Sequence, residues 1–217
     1  MPKVFLSAGH GGNDPGAVSN GLSEKTINLN TLLACKTELV RHGVAVACSR
    51  VTDANDPVTQ EVKEANISNA DIAVSFHANA GGGDGFEAYH HSSNLNGKKL
   101  AKLCEKHVKA LGQNSRGIKT GDKLQFIKNT KMTSVLVESF FVDNINDKTI
   151  GDTVLEQKAF GVAYAKAILE FLGINYESKS DEGLYRVQVG AYRDKDNADS
   201  VREELKTAGF EAIIVKD

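Results

Sequence analysis

Apolar residues come in short blocks along this chain, separated by breaks rich in glycine and asparagine. Residues 4–8 form an apolar run that stops at Gly9 and predicts a buried strand. The stretch 9–21, with its Gly, Asn, Asp and Pro, reads as a loop. After Ser23, apolar residues recur at helical spacing (Ile27, Leu32, Leu39) up to His42 and Gly43, a helix stop signal. Residues 44–49 predict a strand, 56–68 a helix opening at Asp56-Pro57, 72–76 a strand ending at His77, and 86–90 a short strand. Residues 96–111 are amphipathic, with Leu100, Leu103, Val108 and Leu111 on one helical face. Residues 124–127 and 134–137 read as strands, and 155–172 as a closing helix. Strands alternating with helices predict an α/β sheet covered on both faces. In such folds ligands bind beyond the carboxyl ends of the strands, where His10, His77 and Glu138 fall on this reading.

The pattern changes after Gly173. Residues 175–183 are polar and read as a linker. Beyond them, 184–189 predicts a strand, 195–208 a helix and 211–215 a strand. A βαβ unit of about 35 residues is too small to hold a core without staples or a partner. The predicted organisation is therefore 1–174, a linker at 175–183, and a dependent unit at 184–217.

Composition narrows the function classes. The 217 residues carry a formal net charge of -2, which gives no general pull toward nucleic acid or an anionic membrane. No apolar run is long enough to span a bilayer. The chain opens Met1-Pro2-Lys3-Val4-Phe5-Leu6 and enters a strand at once, so it is expected to be made in the cytoplasm without a signal peptide. Cys35, Cys48 and Cys104 are odd in number and lack CxxC spacing, which predicts free buried thiols.

The candidate chemistry sits at the ends of the predicted strands. His10 lies in Gly9-His10-Gly11-Gly12, where the glycines let the backbone turn and expose the imidazole. Alone it is an ordinary loop histidine, but His77 recurs in the same context. Glu24 opens a helix, where the macrodipole also favours a carboxylate; beside the two histidines it completes a three-ligand set. Catalytic zinc sites use three protein ligands and leave a position for water. Glu138 interrupts an apolar run, so it is either paired with a lysine or kept as a general base. Asn79 is a turn residue or a substrate contact. His42, His90, His91 and His107 lack competing ligand spacing, Asp14 and Asp84 read as turn residues, and neither a phosphate loop nor a GxSxG elbow is present. The set points to a metal-activated hydrolase.

These pieces resemble the zinc-dependent N-acetylmuramoyl-L-alanine amidases of bacterial autolysins and phage endolysins. The resemblance rests on Ser7-Ala8-Gly9-His10-Gly11-Gly12-Asn13-Asp14-Pro15-Gly16-Ala17, Glu24, Ser75-Phe76-His77-Ala78-Asn79, Gly85-Phe86-Glu87 and Val135-Leu136-Val137-Glu138-Ser139-Phe140-Phe141, in the family's order across residues 2–173. It implies a twisted, mostly parallel six-stranded sheet flanked by helices. It implies Zn2+ on His10, Glu24 and His77, with Glu138 as catalytic acid/base. It also implies cleavage of the amide between N-acetylmuramic acid and the stem-peptide L-alanine of peptidoglycan. The chain departs from the family at Gln60-Glu61-Val62-Lys63, where relatives often carry an Arg, and at Thr133, where they often carry a Pro; both bear on substrate preference. The tail (Leu184-Tyr185-Arg186-Val187-Gln188-Val189-Gly190-Ala191-Tyr192) resembles one half of the peptidoglycan-binding SPOR repeat, which implies wall binding. A lone half would leave Val187, Val189, Ile213 and Val215 uncovered, so two chains are expected to pair as a homodimer; a loosely ordered half-domain and pairing with another protein are the alternatives. Release to the wall is expected through a holin or through mother-cell lysis. The alternatives are a zinc peptidase cutting within the stem peptide and a non-catalytic wall-binding protein with structural zinc.

Overall fold

The structure, a computed structural model, describes residues 1–178, 187–210 and 212–215. The chain divides into two compact units, Met1–Tyr176 and Glu177–Asp217. In chain order the elements are β1 (Lys3–Ala8), β2 (Val18–Ser19), β3 (Leu22–Ser23), α1 (Glu24–Arg41), β4 (Ala45–Cys48), α2 (Val58–Ile67), β5 (Ile72–Asn79), β6 (Phe86–His90), α3 (Leu95–Lys109), β7 (Ser115–Thr120), α4 (Gln125–Asn129), β8 (Thr133–Phe141), α5 (Ile145–Lys148), α6 (Val154–Leu172) and α7 (Lys195–Thr207).

Six strands form one sheet in the order β4-β1-β5-β8-β6-β7. All pairs are parallel except β6 against β8. The side-chain period of two sorts each central strand onto two faces. Val4, Leu6, Ala8, Val74, Phe76, Val135 and Val137 pack in one core with residues of α1, α3 and α6. Phe5, Ala73 and Leu136 pack in a smaller core with Val62 and Ala65 of α2 and Phe126 and Ile127 of α4. The first face is thick. Helix α6 runs through it, opened by a capping box in which the Glu156 amide donates to Thr153 Oγ1 and the Thr153 amide donates to Glu156 Oε2. Tyr164 on α6 is buried and shares a 2.9 Å hydrogen bond with Ser139.

The cysteines are free; Cys35 and Cys104 are buried. Burial pushes the Cys48 thiol up to about 11 and Cys104 up to about 12.

Several predicted elements differ in the structure. Residues 124–127 are expected as a strand, but Gln125–Asn129 form α4, because a short apolar run carries no period that separates helix from strand. Strand β7 lies at the sheet edge and has a polar sequence with Gly117 inside it, so it gives no alternation to read. Tyr176, inside the predicted linker, stacks on His42 at 5.0 Å, and the first compact unit extends to it.

In the second unit α7 is capped by Asp194, whose side chain accepts from the Asp196 amide at 2.9 Å. The predicted flanking strands fall partly on 184–186 and 211, outside the described residues. Residues 187–190 and 212–215 take no strand. A strand needs a partner for its backbone groups, and two strands alone are marginal. Val187 is 90 % exposed and Val215 70 %. Among the described residues, no helix is long and apolar enough to cross a membrane.

Candidate active site

The smaller face of the sheet is covered only in part, and the polar row lies on the same face further along the strands. Ala73, Ser75, His77 and Asn79 share that face of β5, and Leu136 and Glu138 share it on β8. His77 and Glu138 are register partners, and Glu138 in turn faces Glu87 on β6. Sequence reasoning places His77 and Glu138 beyond the strand ends. Instead β5 continues to Asn79 and β8 to Phe141, so both are strand residues whose position is set by pleat and register.

His10 is held differently. Strand β1 ends at Ala8, the Gly9 amide donates to Phe76 O at 3.1 Å, and His10 itself takes φ 64°, a left-handed conformation uncommon outside glycine. Arg50 braces this turn from below. Its Nε donates to Ala8 O at 2.9 Å, and one Nη donates to Gly9 O at 3.3 Å and to Lys25 O at 2.7 Å. Asn28 adds a bond to Gly9 O at 3.0 Å. Arg50 is 4 % exposed, and burial lowers its pKa.

Three donor groups converge. His10 Nε2 lies 3.2 Å from Glu24 Oε1, and His77 Nδ1 lies 2.9 Å from the same oxygen. The imidazoles meet edge to face, with ring centroids 5.3 Å apart. Ligand atoms of His10, Glu24 and His77 all lie within 4.8 Å of one another, and among the described residues this is the group of side chains able to hold a metal ion. Two glycines make the convergence possible. A Cβ on Gly9 would sit 2.1 Å from His77 Cε1, and one on Gly16, at φ 63°, would sit 2.6 Å from Glu24 Oε2.

The donor chemistry fits a cation. Asp14 Oδ2 takes His10 Nδ1 at 2.8 Å, which fixes the proton of a neutral ring there. His10 Nε2 and Glu24 Oε1 then turn lone pairs toward each other, an arrangement that needs a positive centre between them. Without a metal, protons fill that role. Hydrogen bonding to Glu24 raises His10 to about 9, and Glu24 lifts His77 as well, against the opposing effect of burial. Glu24 is buried, yet its carboxyl is held far below the usual range by His10 and His77, with the Ala17 amide donating to Oε2 at 2.8 Å.

Glu138 is the contrasting carboxylate. Its Oε2 is buried and has no hydrogen-bond partner. Burial raises its pKa to about 7, with His77 pulling down and Glu24 and Glu87 pushing up. The lysine partner that one reading of Glu138 requires is found on Glu87 instead. Lys119 and Arg116 both donate to Glu87 Oε1, Arg116 at 2.6 Å, and Tyr89 donates to Oε2 at 2.6 Å. Asn79 also reaches Glu87 Oε2, at 3.4 Å, while its own Oδ1 accepts from the Ala80 amide.

Of the residues that depart from the family pattern, Glu61 is buried on the same face. Burial raises its carboxyl, with Ser7 acting against that shift. Thr133 opens β8, opposite Ile72 at the far end of the strand from Glu138. Sequence reasoning missed Arg50 and the cations on Glu87, and it named Glu61 and Glu87 only within longer stretches, without a role of their own. Asp14 reads as a turn residue and is one, since its Oδ1 accepts from the Gly16 amide, but its other oxygen orients His10.

Residues 4–170 match the family described as N-acetylmuramoyl-L-alanine amidase, and residues 163–216 match the SPOR domain. The chain is 36 % identical over 220 residues to the N-acetylmuramoyl-L-alanine amidase CwlM of Bacillus licheniformis, covering 99 % of this chain and 85 % of that protein. It is 33 % identical to the sporulation-specific N-acetylmuramoyl-L-alanine amidase of Bacillus subtilis, with the same coverage. The fold superposes on the catalytic domain of the amidase CwlV from Bacillus (Paenibacillus) polymyxa with a TM-score of 0.74 and 31 % identity, covering 81 % of this chain and all of that one.

Proposed function

Because the chain belongs to the N-acetylmuramoyl-L-alanine amidase family, we propose that it hydrolyses the amide between the lactyl group of N-acetylmuramic acid and L-alanine in peptidoglycan, using zinc held by His10, Glu24 and His77. The observation that carries this reading is the convergence of both imidazoles on one Glu24 oxygen, with Glu138 in register beside His77. When bound, the ion supplies Lewis-acid chemistry: it polarises the scissile carbonyl and eases deprotonation of water.

Glu138 moves the proton. With a pKa near 7 and no partner on Oε2, its carboxylate accepts a proton from the attacking water and returns it to the alanine nitrogen as the C–N bond breaks. Asp14 and Arg50 hold His10 in place, and Glu24 stays ionised throughout. Asn79 stands at the rim of this row and contacts substrate. Structural zinc sites are closed by four ligands; three converging donors beside an unpaired carboxylate support hydrolysis over a purely structural role.

The division of labour follows the chain. Catalysis is assigned to residues 1–174 and wall attachment to 184–217, with two copies pairing through the exposed apolar residues Val187, Val189, Ile213 and Val215. Sizing the full chain by light scattering tests the pairing; a monomer with α7 folded overturns it. Release to the wall is assigned to a holin or to mother-cell lysis.

Glu138→Gln should keep zinc at one per chain and lose lysis of purified walls by about 10²–10⁴-fold. His77→Ala should lose both zinc and lysis. Mass analysis of the products should show a new N-terminal alanine; cuts within the stem peptide identify a peptidase instead. Retained lysis by the Glu138 variant sinks the assigned role.

A further inference from the structure

The cluster around Glu87 is charged beyond what its own pairing needs. Glu87 is 4 % exposed at its side chain and one cation would neutralise it, yet Arg116 and Lys119 both converge on Oε1. Both cations remain open to solvent, at 43 % and 37 % side-chain exposure. Asp84 also acts on Arg116, but among the described residues it forms no ion pair. Two solvent-open cations therefore stand on this rim, against one buried carboxylate and the more distant Asp84.

The cluster is continuous with the active-site row. Glu87 faces Glu138 directly, and Asn79 reaches Glu87. Arg116 lies over the Phe141 ring at 5.3 Å, and Phe141 is the register partner of Asn79. A bulge between Phe86 and Ala88 puts Arg116 and Gly117 opposite Glu87. Adjacent strands lie about 4.8 Å apart, so β7, two strands from β8, is about 10 Å from the proton-transfer group. An extended peptide advances about 3.3–3.6 Å per residue, so two residues and a side chain span that distance.

We propose that Arg116 and Lys119 form a subsite for a free carboxylate of the stem peptide, held within two or three residues of the scissile amide and anchored from beneath by Glu87. The inference rests on the amidase reading above and specifies which substrates that site selects. The guanidinium is fixed in plane by Glu87 on one side and Phe141 on the other, while its outward N–H groups offer the geometry that carboxylates accept.

The test compares two soluble muramoyl peptides that differ only in the residue after alanine, one with a free carboxylate and one with that carboxylate amidated. The wild-type protein should favour the free carboxylate by about tenfold or more in kcat/KM, the scale of one hydrogen bond to a charged group. The double variant Arg116→Gln/Lys119→Gln should lose that preference through a higher KM with kcat nearly kept, and should match the wild type on the amidated peptide. Lys119→Arg, which keeps both the charge and the pairing with Glu87, should retain the preference. Cleavage of both peptides with equal kcat/KM by the wild type, or a preference that survives in the double variant, overturns the subsite while leaving the amidase reading intact. Cleavage of neither peptide at the muramoyl–alanine bond overturns both.

Discussion

The two faces of the sheet come from the same strands, one residue out of step, and they are built for opposite purposes. Phe76 is fully buried in the thick core with Tyr164, their rings 5.2 Å apart. The next residue, His77, turns to the thin face and meets Glu24. On the thick face apolar contact fills nearly every position, and the buried Ser139 hydroxyl is satisfied by Tyr164. On the thin face α2 and α4 cover one end of the strands, and the other end carries ionisable groups. Stability and chemistry are thus separated by a single step along the backbone rather than by distance along the chain.

The sharpest way to break that comparison is to mutate the two neighbours. Phe76→Ala should cost about 3–5 kcal/mol in urea unfolding and leave zinc affinity of the folded fraction unchanged. His77→Ala should abolish zinc binding and cost far less in zinc-free buffer. Equal losses would mean that the thin face also carries the fold.

A smaller effect is expected where the backbone shapes the site. Gly9→Ala forces His77 aside by its ring, so zinc affinity measured against a chelator should fall about 10–100-fold, the range seen when the support of a ligand is disturbed. The thermal midpoint of the zinc-free protein should move little by comparison. An unchanged affinity would show that His77 is free to relocate.

The smallest effect is in pH, and its sign differs between groups. His10, raised from 6.5 to about 9, and His77, raised in the same direction, add stability that is complete below their unfolded values and lost as pH rises through the folded ones. Glu24, lowered from 4.5, adds stability above that value and loses it as pH falls toward its depressed pKa. Glu138, raised from 4.5 to about 7, contributes fully below 4.5 and loses that contribution as pH climbs through 7. Together these groups favour the zinc-free fold most near about pH 4.5; Glu138 loses its share first as pH rises, and the histidines lose theirs above 6.5. Zinc needs neutral imidazoles, so the stability it adds should grow with pH. Thermal midpoints with and without zinc should diverge steadily from pH 6 to 9; parallel curves would refute the shared site.

The thick face was largely legible in the sequence, since apolar runs such as 4–8 and 72–76 bury both sides of a central strand. The charged interruptions were legible for the same reason: Glu138 stands out only because its neighbours are apolar. What could not be read was the support. Arg50 follows a strand and looks like any loop residue until its guanidinium is seen against four carbonyls. Glu61 is one of several charges on α2, and only packing selects it for burial. Arg116 lies on a strand with no alternation, and its partner Glu87 belongs to an element paired by a bulge. Side chains that act through other side chains leave no periodic trace.

The three thiols have one further consequence. With Cys35 and Cys104 enclosed and all three pKa values pushed upward, little thiolate forms at neutral pH, and thiolate is the species that oxidants attack. The fold carries no disulfide that a reducing environment could open. Oxidation of these three thiols at neutral pH should therefore be slow.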